Sequence, residues 1–160
     1  TARQYWAVYG GVSALTKSPY LHISILLTLL SFPFWMSSVK AYDIALSAVP
    51  NLLGFSVGAL AIVLAFSSAV IFSTLAEEGE PTSFFMQLTV SLIHFIIVQV
   101  SALVIGTIAK ITDSSILDVL TLFFMFYAIF STLAAGVQLF HTAVIYNASA
   151  SLPADGDGPT

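Results

Sequence analysis

The chain has 160 residues, of which 58% are hydrophobic and only 8% charged, and its mean hydropathy is +0.99. A soluble domain carries about a quarter charged residues, so this composition excludes a globule with a water-facing surface. The net charge of -4 comes without any basic cluster, which excludes phosphate-backbone recognition and with it a nucleic-acid partner.

Charges fall at Arg3, Lys17, Lys40, Asp43, Glu77, Glu78, Glu80, Lys110, Asp113, Asp118, Asp155 and Asp157, and they leave four long uncharged stretches between them. Crossing about 30 Å of hydrocarbon at 1.5 Å per residue takes about 20 apolar residues, and each stretch reaches that length. The expected fold is therefore an all-α integral membrane protein, with four transmembrane helices in an antiparallel bundle and an interfacial segment at the N-terminal side. There is no cysteine, so disulfides, thiolate metal sites and cysteine nucleophiles are all excluded.

Residues 1–18 mix Tyr5, Trp6, Tyr9 and Leu15 with a Gly10-Gly11 break, a pattern suited to the headgroup region. No small-residue cleavage site follows the first apolar stretch, so it reads as a retained span over residues 20–38, opened by Pro19 and kinked at Pro33. Phe32, Phe34 and Trp35 form an aromatic belt before Lys40 and Asp43 return the chain to water. Residues 40–49 are expected as a turn with a short interfacial piece, after which Pro50 opens a second span over residues 50–75. Glu77, Glu78, Gly79, Glu80 and Pro81 then make an aqueous turn. Thr82 or Ser83 caps a third span over residues 83–109, and Thr112 to Ser115 make a second tight turn. Ser115 and Asp118 fit a capping box at the start of a fourth span over residues 116–147, which is longer than the bilayer is thick. Residues 151–160, rich in proline, glycine and aspartate, are expected to be a disordered tail.

An even number of spans puts both termini on one side, and the positive-inside count is a tie of Arg3 and Lys17 against Lys40 and Lys110. Basic residues preceding Thr1 in a longer chain would break the tie. On that ground both termini are expected to be cytoplasmic; the membrane expected is a bacterial inner membrane.

On the second span Gly54, Gly58, Ala61, Ala65, Ala69 and Ser73 recur every three or four residues and form one small-residue face. Apolar helices gain nothing hydrophobic by joining in lipid, so close backbone approach must drive association, and small residues permit it. A neighbouring helix of the same chain is the favoured occupant of that face, and a second copy is the alternative. The third and fourth spans carry His94, Gln99, Gln138 and His141 at depths where exposure to acyl chains is costly. Interhelical hydrogen bonding is their favoured role; a hydrated polar pathway is the other.

Placing Tyr20, Ser83 and Asn147 at one interface puts His22 about 3 Å deep, His141 about 9 Å and His94 about 16 Å. No two are level, so a bis-histidine haem site is not expected, and no intramembrane acid shares their layer to complete a metal site or a catalytic group. No cofactor and no enzymatic activity are expected. The phenylalanines Phe55, Phe66, Phe72, Phe123, Phe124, Phe126 and Phe130 point around their helices and cannot all line one gate. Two functions remain: a homo-oligomeric ion channel or pore-forming effector, and an accessory or scaffold subunit of a larger membrane complex. The lipid bilayer is a partner in both.

Overall fold

The computed structural model describes residues 2–35, 38–65 and 83–150. Among these the chain is all-helical, with six α-helices: α1 (Ala2–Tyr9), α2 (Gly11–Lys17), α3 (Pro19–Leu30), α4 (Ala41–Ala65), α5 (Phe84–Thr112) and α6 (Ser115–Ala150). Helices α4, α5 and α6 are long and apolar enough to cross a membrane. Their 25, 29 and 36 residues reach about 38, 44 and 54 Å at 1.5 Å per residue.

Local chemistry sets most of the boundaries. Gly10 and Gly11 both have positive φ, 90° and 65°, a conformation that costs glycine little and other residues much, and this breaks α1 from α2. Ser18 is extended because it precedes Pro19, which then opens α3 at a position where its missing amide does no harm. Pro33 has a larger effect than the expected kink: α3 ends at Leu30, and Phe32–Phe34 form a 3-10 turn. Pro33 has no amide hydrogen to donate to the Leu29 carbonyl and its ring crowds that turn, so the α-helical ladder stops ahead of it. At 12 residues α3 covers only about 18 Å, short of the 20–38 span read from the sequence.

Helix α4 departs from expectation in the other direction. It begins at Ala41 and runs through Pro50, where a turn over residues 40–49 had been expected. A proline inside a helix costs about 3 kcal/mol because it removes one backbone bond and crowds the preceding turn. Tertiary contacts offset that cost, since Ala45 and Val49 are fully buried and Asp118 accepts a hydrogen bond from the Tyr42 amide at 2.9 Å. The rest of the expected second span and the acidic turn after it lie outside the described residues, as does the expected tail.

At the start of α5 the Ser83 hydroxyl accepts from the Met86 amide at 3.4 Å, as an N-cap should. The helix closes at Asp113, whose φ of 47° is left-handed, and the chain reverses so that Gly106 faces Thr121 and Gln99 faces Thr132. The cap of α6 is one residue earlier than expected. Ser114 accepts from the Leu117 amide, and Asp118, freed from the proposed box with Ser115, turns sideways to α4.

Two apolar clusters hold α4, α5 and α6 together. Ala45, Val49, Val98, Ala102, Met125, Tyr127 and Ala128 make one, and Ala59, Val63, Leu88, Leu92, Phe95, Ala134 and Ala135 the other. Helix α3 lies along α6: Tyr20 and Leu21 pack against the cluster that contains Tyr127, while Ile25, Thr28 and Leu29 face Ile116, Val119 and Leu120. Its first residues are thus level with the middle of α6.

Candidate functional site

His94 is the centre of the densest polar arrangement among the described residues. It is only 7% exposed, and a tyrosine hydroxyl stands at each ring nitrogen: Tyr5 lies 2.9 Å from Nδ1 and Tyr127 2.9 Å from Nε2. A neutral imidazole fits this setting, because one nitrogen donates its N–H to a tyrosine oxygen and the other accepts a tyrosine O–H. Tyr9 stacks on the ring with centroids 4.3 Å apart. Tyr5 is half-buried, and burial, with a smaller contribution from Tyr9, raises its phenol above the ordinary range. It therefore keeps its proton and remains able to donate. On the far side, Tyr127 also interacts with Tyr9 and Ser18.

Gln99 makes the second polar contact between helices. It is fully buried, and its Nε2 donates to Ser56 Oγ on α4 at 2.9 Å and to Thr132 Oγ1 on α6 at 2.8 Å. One side chain thereby ties three helices. Its Oε1 is buried without a partner among the described residues, a state that costs about 1–3 kcal/mol. Gln99→Leu removes two interhelical bonds, averaging about 0.6 kcal/mol each in membranes, together with that orphan acceptor. The two effects oppose, so unfolding in mixed micelles should show Gln99→Leu within about 1 kcal/mol of wild type. A loss well above this would mean that Oε1 has a partner.

The four candidate pathway residues do not come together. Gln138 lies on α6 about 16 Å along the helix from Tyr127, the α6 contact of His94. His141 is exposed. Other hydroxyls on these helices are satisfied at home: Ser101 donates to the Ile97 carbonyl, Thr107 to Leu103 and Thr121 to Leu117, each four residues back.

The small-residue face of α4 is open. Gly54, Gly58, Ala61 and Ala65 are exposed, and a Cβ placed on either glycine meets no described atom within 4 Å. The face that α4 buries instead carries Ala45, Val49, Ser56, Ala59 and Val63. Among the described residues, then, no neighbouring helix of the chain fills the small-residue groove that the sequence favoured filling; Ala69 and Ser73 lie outside the described residues. The glycine that does admit a neighbour is Gly106 on α5, where a Cβ would stand 3.1 Å from Thr121 Cγ2.

Sequence reading missed Tyr5, Tyr9 and Tyr127 as companions of His94. The spacing of Tyr5 and Tyr9, four residues apart on one helical face, was the available signal, but nothing local names the partner across 89 residues. No protein-family model, curated protein or solved structure matches this chain. The site must be read from its own chemistry.

Proposed function

We propose that this chain is a non-enzymatic membrane subunit that assembles laterally, with α4 receiving a second copy or another membrane helix. The observation that carries this reading is the division of labour among its polar and small residues. His94 and Gln99 are engaged by hydrogen bonds inside the chain, whereas Gly54 and Gly58 present bare backbone on the outside of α4. In lipid, a bare small-residue face permits the close backbone approach that drives helix association. In this reading α4, α5 and α6 cross the bilayer, and α3 completes a four-helix bundle by packing along α6.

The pore-forming reading has less support, because the polar residues that would line a path are spread apart, and His94 and Gln99 are bonded within the protomer. A conducting path would have to run between copies.

The test is the mass of the detergent-extracted particle. Wild type should run above one 17.1 kDa protomer, and Gly58→Leu should return it to one protomer with its helical content intact. A monomeric wild type, or an assembly indifferent to Gly58→Leu, would sink the proposal. Conductance of the wild-type assembly across planar bilayers would favour the pore.

A further inference from the structure

Helix α1 places nothing inside the bundle. None of its eight residues is buried, and a helix so short is marginal by itself, since isolated helices need about 12–15 residues. Its attachments among the described residues centre on His94 and the tyrosine bonded to it: Tyr5 is bonded to Nδ1 of His94, Tyr9 is stacked on the same ring, and Tyr9 also reaches the Tyr127 hydroxyl. Immediately after α1 the chain passes through Gly10 and Gly11, both at positive φ, a joint that can reorient at low steric cost.

We propose that α1 is a detachable clasp seated on His94, and that protonation of the imidazole unseats it. The groups facing His94 are Tyr5 and Tyr9 from α1 and Tyr127 from α6, with Ser18 beyond Tyr127. Helix α3 brings Tyr20 to the adjacent core, and α4 brings Ala59 and Val63 beside Phe95. His22 lies on the exposed side of α3, bonded to the Ser18 carbonyl, and Arg3 is exposed on α1.

The ion pairs among the described residues, Lys40–Asp113 and Lys110–Asp43, sit at the other end of α5, Lys110 being about 24 Å along the helix from His94. A second ring proton would therefore create a buried cation facing hydroxyls and, among the described residues, no carboxylate. An enclosed charge without a counter-charge is strongly disfavoured, and the attraction of the Tyr9 face for a cation is the smaller effect. Helix α5, with 29 residues, is about 44 Å long against about 30 Å of hydrocarbon, so when it is centred in the bilayer its first turns project about 7 Å. His94 then lies about 9 Å below the headgroups, rather than at the depth of about 16 Å expected with Ser83 at the interface. In this proposal, lifting α1 lets headgroups and water reach the ring. Seating is thus favoured at neutral and alkaline pH and lost as pH falls, because the open form holds one more proton.

Trp6 on α1, 40% exposed, is one of only two tryptophans, so a Trp35→Phe chain reports on α1 alone. Between about pH 8 and about pH 5, the range in which an imidazole ordinarily titrates, acrylamide quenching of Trp6 should rise about two-fold in a one-proton transition. His94→Gln, which keeps hydrogen-bonding capacity without titrating, should abolish the transition. His22→Gln and His141→Gln should leave it in place, and Tyr5→Phe should move it to higher pH by removing one anchor. If Trp35→Phe does not fold, hydrogen exchange at residues 2–9 of the wild-type chain, corrected for intrinsic rates, gives the same reading as lost protection in acid. An unchanged Trp6 signal in folded protein, unchanged protection, or a transition that survives His94→Gln overturns the proposal.

Discussion

Replacing Gly106 with leucine should destabilise the folded chain by at least about 1–3 kcal/mol, the range for overpacking a filled core. A Cβ at this position would stand 3.1 Å from Thr121 Cγ2 and 3.8 Å from two atoms of Leu46, so α4, α5 and α6 all meet there. Thr121 has little freedom to withdraw, being fully buried and bonded through its hydroxyl to the Leu117 carbonyl at 2.7 Å. Reversible unfolding in mixed detergent micelles measures the loss, and Thr121→Ala in the same chain should recover part of it by making room. Gly58→Leu is the informative comparison, because nothing described lies within 4 Å of a Cβ there. It should leave protomer stability near wild type while acting on assembly. Equal stability of Gly106→Leu and wild type would show that the three helices do not close on that glycine.

Asp118→Ala should cost about 1.5–3 kcal/mol, the usual worth of a hydrogen bond to a charged group. Asp118 is 5% exposed and accepts from the Tyr42 amide, one of the first-turn donors of α4 that have no partner within their own helix. A carboxylate there also complements the positive end of α4. Asp118→Asn keeps an acceptor oxygen and should lose clearly less than Asp118→Ala in the same unfolding assay. Asp43 supplies the contrast at the same end of the molecule. Its bond to Lys110 is short at 2.8 Å, but both side chains are 56% exposed, and solvent screening leaves such pairs little net effect. Asp43→Ala should therefore be close to neutral. If it proved as damaging as Asp118→Ala, the account of how α4 is held in place at Ala41 would be wrong.

That account also explains why the start of α4 was not legible in the sequence. Pro50 and the polar residues before it signal a helix beginning, and an isolated segment would obey them. The Asp118 carboxylate that lets α4 begin nine residues earlier arrives from 76 residues away. The same holds for His94, whose Tyr5 and Tyr127 partners are 89 and 33 residues distant, and for the orphan oxygen of Gln99.

What the sequence determined by itself was the helical class and the presence of long apolar helices, along with a hydroxyl cap at Thr82 or Ser83, the Pro19 start and the tight turn at Asp113. These follow from local causes, because a chain in lipid must satisfy its backbone within each helix and its charges must sit where water is. Only the tertiary structure decided which face of each helix turns inward. In water an apolar stripe would reveal that face, but in lipid both faces are apolar and rotation is set by packing and a few polar contacts. Thus Gly54 and Gly58, the conspicuous glycines of the sequence, face outward, and among the described residues Gly106 is the one against which neighbouring helices close.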